Sequence, residues 1–247
     1  MSKKLSKKEI EKFSRQIILK NIGVLGQKKI WNSRVLIVGM GGLGCPAADF
    51  LIRSGIGTIG IADHDTINLS NIHRQSLYNE KDLKKSKVKV AKKKLNEISS
   101  KTKINIINFK LDKKKFKKIV KNYDYIIDGT DNFESKFLIN DCSRKHKKIL
   151  LTGAISKFDG HIFSFNFKNK NEPCLRDFYQ ENVITDEILD CEHEGILGTV
   201  AGIVGTMLAN ETLKRILNIG QNKNRFILII DLLNLNFRKI KLFKRKT

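Results

Sequence analysis

Arg34-Val35-Leu36-Ile37-Val38-Gly39-Met40-Gly41-Gly42-Leu43-Gly44 is the stretch that decides the fold. A β-branched apolar run that stops at glycines suits a buried parallel strand. The spacing G-x-G-x-x-G then places a tight turn between that strand and a helix over about 42–54. Glycines belong there because a side chain would block the turn and keep the backbone away from a phosphate. The N–H groups at the helix start are left to bind the anion. The next apolar run, Thr58 to Ala62, ends at Asp63, 19 residues beyond Gly44. A carboxylate at that position can accept both hydroxyls of a ribose. The combination marks a nucleotide site and leaves NAD and ATP both open.

Working outward, the same alternation continues. Lys103 to Phe109, Asp124 to Ile127 and Ile149 to Thr152 read as strands, with helices expected over about 84–99, 113–121 and 132–146. Strand–helix alternation means a Rossmann-like, doubly wound, mainly parallel α/β sheet. Two N-terminal helices are expected within 6–33, before the nucleotide-binding half at 34–153. After Gly153 the pattern changes. Gly160-His161-Ile162-Phe163-Ser164-Phe165-Asn166-Phe167 alternates like a half-buried antiparallel strand, and Phe226 to Asp231 with Asn236 to Phe243 reads as a closing hairpin. Between them lie a polar connection over 168–190 and one apolar helix over 195–217. Its small residues Gly198, Ala201, Gly202, Gly205 and Ala209 would let a neighbour approach closely. No repeat and no Gly/Ser-rich linker divides the 247 residues, so the chain reads as a single domain with a second half at 154–247.

The composition bounds the function. The chain has 48 basic against 25 acidic residues, a net charge of +23. Only ten of the 48 are Arg, and Lys, Ile and Asn together make 92 residues. All three have A/T-rich codons, so codon bias accounts for the lysine excess. The lysines are spread along helix faces without interleaved aromatics, which makes a nucleic-acid site a poor reading and an acidic protein partner a better one. No apolar run reaches the roughly 18 residues that span a bilayer, and no secretory signal core follows the charged N-terminus. The expected location is cytoplasmic, with no membrane partner.

Chemistry concentrates after Asp63. Asp63-His64-Asp65 and Asn71-Ile72-His73-Arg74-Gln75 set acids, an amide, an arginine and a glutamine next to the ribose position, and Lys87 follows on the basic helix. A pyridine-nucleotide oxidoreductase has little use for extra cations here. A polyphosphate does, since Arg grips two oxygens and Lys supplies a point charge. Thr130-Asp131-Asn132 follows the fourth strand, where open α/β sheets bind ligands. Asp131 suits Mg²⁺, which takes one or two carboxylates plus phosphate oxygens.

Ser14 to Leu19, the Gly39–Gly44 loop, Asp65 to Gln75, Thr130 to Asn132, Leu151 to Gly153, Pro173-Cys174, Cys191 and Gly195 to Gly198 occur in an order that closely resembles the ThiF/MoeB/HesA family. These are bacterial relatives of ubiquitin-activating enzymes. The resemblance spans about 10–243. It implies an adenylyltransferase that uses Mg-ATP to activate the C-terminal glycine of a small ubiquitin-like sulfur carrier ending in Gly-Gly, in molybdopterin or thiamine biosynthesis. It also implies that Gly39, Gly41, Gly42, Gly44, Asp63 and Asp65 bind nucleotide. Arg74, Lys87, Asn71 and Gln75 would hold phosphates and Asp131 the Mg²⁺. Arg15 would reach ATP across a homodimer interface, and residues 154–247 would bind the carrier. With no rhodanese extension, sulfur would come from a separate donor. A related tRNA threonylcarbamoyladenosine dehydratase is the alternative enzyme, and a non-catalytic scaffold the bland one.

The sequence departs from that family in its cysteines. Many members hold zinc with two C-x-x-C pairs. Here Cys174-Leu175-Arg176-Asp177 keeps one thiol and Lys244-Arg245-Lys246-Thr247 has none, so no structural zinc is expected. Cys191 sits where some relatives form a covalent bond to the carrier. Asp190, Glu192 and Glu194 disfavour its thiolate and His193 favours it. Cys45 and Cys142 read as small packing residues.

Overall fold

A computed structural model describes residues 5–110, 112–179, 195–220 and 225–244. Eight strands form one sheet in the order β3-β2-β1-β4-β5-β6-β7-β8. Strands β1 (Arg34–Val38), β2 (Thr58–Ala62), β3 (Lys103–Ile107), β4 (Tyr125–Asp128) and β5 (Ile149–Ser156) run parallel. Strands β6 (Asp159–Asn166), β7 (Phe226–Asp231) and β8 (Asn236–Lys241) add on antiparallel. The expected fold class holds, and most strand bounds fall within one or two residues of the sequence reading. β5 runs further than expected because its last four residues pair with the start of β6, which the parallel reading of β5 did not require.

The two faces are read directly from the strands. Val35, Ile37, Ile127 and Leu151 enter one buried cluster, and Leu36, Val38, Ile126 and Leu150 enter the other. Both faces of the parallel strands are therefore dry, as their unbroken apolar runs demand. Helices α4 (Gly44–Arg53) and α5 (Lys87–Ile98) cover the first face, with α6 (Lys113–Val120) and α7 (Phe133–Lys145) on the other.

The N-terminal segment holds three helices rather than two: α1 (Lys7–Lys12), α2 (Ser14–Ile17) and α3 (Gly23–Asn32). Phe13 ends α1 and begins α2, and Gly23 enters α3 at φ +58°, a left-handed turn that breaks the periodicity. The connection after 168 also contains a short helix, α8 (Leu175–Phe178), whose first residue is fully buried. The long helix α9 spans Gly198–Leu217 and lies across α4. A Cβ on Gly205 would meet the Leu43 carbonyl oxygen at 2.5 Å, and one on Gly198 the His73 carbonyl oxygen at 2.3 Å. The small residues of this helix thus serve core packing, with Gly202 facing open space.

Candidate functional site

In the order 3-2-1-4-5, the chain turns in opposite directions from β1 and β4, and a crevice opens at their carboxyl ends. Gly39 and Gly129 meet there. Gly39 adopts φ +89°, and a Cβ on it would strike the Gly129 carbonyl oxygen at 2.7 Å. A cavity of about 910 Å³ occupies this crevice. Its wall includes Gly39, Gly41, Gly42, Asp63, Asp65, Asn71, Arg74, Gln75, Lys87 and Asp131. Ten of the residues singled out from the sequence therefore surround one space.

Gly44 does not line that cavity. It lies beneath the loop, where a Cβ would sit 1.9 Å from the Gly39 carbonyl oxygen, so its smallness serves helix–strand packing. Gly42 is spoken for as well, since its Cβ would lie 2.9 Å from that of Ala201. Only Gly41 has room, with Gln75 Nε2 at an ordinary 3.5 Å. Of the four glycines, Gly41 is the one whose bareness the protein does not use and a ligand can.

Two side chains hold the loop in place. The Asp63 carboxylate accepts the Met40 N–H at 2.7 Å through Oδ2 and the Asp65 N–H at 2.9 Å through Oδ1. A carboxylate offers about four lone-pair sites, so both oxygens can still accept a hydroxyl. From below, the buried Tyr78 hydroxyl donates to the Met40 carbonyl oxygen at 2.9 Å. Burial pushes the Tyr78 hydroxyl far up, so it stays a neutral donor.

The cations are differently placed. Lys87 is 6% exposed at the first position of α5, and its Nζ donates to Asp65 Oδ2 at 2.9 Å. A buried ammonium at a helix N-terminus is opposed by the helix dipole, which Asp65 offsets. Arg74 Nη1 donates to the Ser70 carbonyl oxygen at 2.7 Å, which anchors the guanidinium within its own turn. Asn71 spends its side-chain oxygen on the Asn68 N–H at 3.1 Å and shapes that turn. Gln75 is 3% exposed, and its Oε1 has no hydrogen-bond partner among the described residues. An orphaned buried acceptor is costly, and it belongs to a residue of the cavity wall, which fits a site built for a polar ligand. The Asp131 carboxylate is exposed at the opposite wall, where Asn132 Nδ2 donates to it at 3.2 Å. That hard anionic oxygen suits Mg²⁺.

Sequence reasoning passed over Asp128 and Lys136. Asp128, the last residue of β4, is fully buried and its Oδ2 lies 3.4 Å from Lys136 Nζ. Lys136 is 5% exposed and lines the cavity. The available signal was its place near the start of α7, where a helix dipole opposes a cation. Arg15 is exposed and lies outside the cavity wall. Cys191 and His193 lie outside the described residues. Cys45 is buried, and loss of solvent pushes its thiol up to about 12. Cys142 is likewise buried and raised.

A glycine-loop crevice lined by carboxylates and cations at the switch point of the sheet defines the class as a Rossmann-like α/β protein. The chain belongs to the ThiF family, whose model matches residues 13–247. It is 36% identical over 241 residues to a probable molybdopterin-synthase adenylyltransferase of Gracilaria tenuistipitata var. liui, covering 98% of this chain and 67% of that protein. It is 38% identical over 244 residues to the adenylyltransferase and sulfurtransferase MOCS3 of Aedes aegypti, covering 98% of this chain and 55% of that one. The chain thus spans about half to two thirds of the length of the curated relatives it matches. Among solved structures, E. coli MccB with ATP superposes at a TM-score of 0.81 with 22% identity, covering 94% of this chain and 72% of that one. PaaA gives the same score over 99% of this chain and 77% of that one.

Proposed function

We propose that this chain adenylates the C-terminal carboxylate of a small ubiquitin-like sulfur-carrier protein in molybdopterin biosynthesis. The observation that carries the reading is the convergence of Gly41, Asp63, Arg74, Lys87 and Asp131 on one cavity in a ThiF-family chain whose relatives are named adenylyltransferases. The names of those relatives favour a molybdopterin carrier over a thiamine one.

In this reading Asp63 accepts the ribose hydroxyls and Gly41 lets the triphosphate approach the backbone. One carboxylate oxygen of the carrier attacks the α-phosphorus. An O–P bond forms, the bond to the bridging oxygen breaks, and pyrophosphate leaves with its electron pair. The attacking carboxylate is already ionised at neutral pH, so no general base is needed. Arg74 and Lys87 stabilise the charge that moves onto the leaving group, and their fixed geometry lowers the barrier by alignment and electrostatics. Asp131 would hold Mg²⁺, which supplies further charge neutralisation when bound.

Arg15 fits a role in a second copy of the chain. It is exposed away from its own cavity, beside Ile18, Leu19, Val24 and Leu25, all large apolar residues left open to solvent. Such a cluster suits a homodimer face. Mixing Arg15→Ala with Lys87→Ala protein should then regain activity that neither has alone.

The decisive experiment is ATP–pyrophosphate exchange with candidate carriers ending in Gly-Gly. Exchange that depends on the terminal glycine supports the reading. No exchange with any carrier, with ATP-dependent activity on tRNA instead, would replace it.

A further inference from the structure

One buried cation in the cavity wall has no part in the chemistry above. Lys136 Nζ donates to the Gly153 carbonyl oxygen of β5 at 2.6 Å and to Asp128 Oδ2 of β4 at 3.4 Å. The other Asp128 oxygen, Oδ1, accepts the Thr130 N–H at 3.0 Å and the Thr130 hydroxyl at 2.6 Å. Asp131 is the next residue. On its far side Asn132 Oδ1 accepts the Ser135 N–H at 2.9 Å and caps α7. Asp131 therefore sits between two pinned residues, and the first pin depends on Asp128.

A buried ion pair contributes little to stability, because removing both charges from water costs about what their attraction returns. Losing one partner is a different matter. Without the ammonium, a fully buried Asp128 would carry an uncompensated charge. It would turn toward the solvent of the cavity, and that movement takes Oδ1 away from Thr130. The short turn that carries Asp131 would then lose its anchor on the β4 side. The ammonium also links α7 to the middle of β5 and to the last residue of β4.

We propose that Lys136 is a positioning residue: by compensating Asp128 and tying it to Gly153, it fixes the Thr130 turn so that Asp131 faces magnesium-bound nucleotide. The inference rests on the nucleotide-binding reading of the cavity and acts entirely through Asp131.

Calorimetric ATP titrations with and without Mg²⁺ test it on the full chain, using Lys136→Met, Lys136→Arg, Asp131→Asn and the Lys136→Met/Asp131→Asn pair. Lys136→Met should lose the Mg²⁺-dependent gain in ATP affinity, by about tenfold or more, while affinity without Mg²⁺ stays within about twofold. Lys136→Arg should restore most of the gain, since it keeps the charge and the donors. In the Asp131→Asn background, Lys136→Met should cost nothing further. If Lys136→Met does not fold, Thr130→Val removes one leg of the same support and should show the same Mg²⁺-selective loss. Losses that add fully in the double variant would overturn the proposal, as would a folded Lys136→Met protein with an unchanged Mg²⁺ effect. A parent chain whose ATP affinity ignores Mg²⁺ would also overturn it. A parent that shows the Mg²⁺ effect but catalyses no exchange with any carrier removes the adenylation reading and leaves the role of Lys136 standing.

Discussion

Adding one methyl group at Gly41 and, separately, at Gly44 should split ligand binding from folding. A Cβ on Gly44 would stand 1.9 Å from the Gly39 carbonyl oxygen, whereas real contacts essentially never fall under 3.0 Å. About 1.1 Å must therefore be opened, the difference between those two distances. Gly39 cannot retreat, because at φ +89° it is already pressed against Gly129. Overpacking of this kind costs about 3 kcal/mol or more. For a chain of this size that lowers Tm by roughly 6–12 °C. Gly41 is different. Its φ is not left-handed and the nearest atom to the added methyl is Gln75 Nε2 at 3.5 Å. Replacing a glycine where alanine fits stabilises by about 0.4–1 kcal/mol through the unfolded chain. Gly41→Ala should thus melt at or about 1–4 °C above the parent. The same methyl stands in the cavity where phosphate approaches, so ATP affinity should fall by about tenfold or more, on the order of 1.4 kcal/mol. Thermal unfolding and ATP calorimetry read the two effects separately. Gly41→Ala protein that binds ATP within twofold of the parent would refute the placement of phosphate. Gly44→Ala protein that melts with the parent would refute the packing argument.

Further tests concern the first helix and the cysteines. Glu9 caps α1 through Ser6, pairs with Lys101 and is held down to about 2, mainly by the Ser6 backbone and side-chain hydrogen bonds. Because its folded value is depressed, its contribution is full above about pH 4.5 and fades as the pH falls toward 2. Glu9→Gln should lower stability by about 1 kcal/mol at pH 7, and the Tm difference from the parent should close at low pH. Cys45, raised to about 12, should resist iodoacetamide at pH 8 in the folded protein and react only after denaturation, read by peptide mass spectrometry. Rapid labelling of the native Cys45 peptide would show that the thiol is reachable. Cys174 is buried against Arg144 Nη1 at 3.6 Å, and Asp177 stands where a C-x-x-C pair would place its second thiol, so elemental analysis should find no stoichiometric zinc. One zinc per chain would refute that.

The sheet was legible because the inner parallel strands β1, β2 and β4 are buried on both faces and announce themselves as short apolar runs between helical stretches. The N-terminal helices were less so. Phe13 serves two helices at once, and no periodicity marks a residue shared in that way. Four residues of α8 are too few to show any period. At the site, Asp63, Arg74, Lys87 and Asp131 stood out because they follow the carboxyl ends of β2 and β4, where open α/β sheets bind ligands. Lys136 was lost in a chain with 38 lysines, although its helix-start position was an unfavourable one for a cation. Asp128 was overlooked beside the more exposed Asp131, and only packing reveals that the two act in series. Gly44 marks the other limit, since a spacing motif does not say which glycine lines the cavity and which packs beneath it.

β8 closes the sheet with all six of its residues exposed, and among the described residues it has β7 as its sole strand neighbour. Its outer edge is a row of open backbone donors and acceptors, the kind of border along which a second chain can grow a fibril. Lys239 and Lys241 stand on one face of that border and Arg238 on the other, so an approaching copy meets its own charge whichever way it is turned. These basic residues act as a fence against self-assembly, and the fence is electrostatic: it stands at physiological ionic strength and weakens in concentrated salt, where the screening length shrinks to roughly 3 Å.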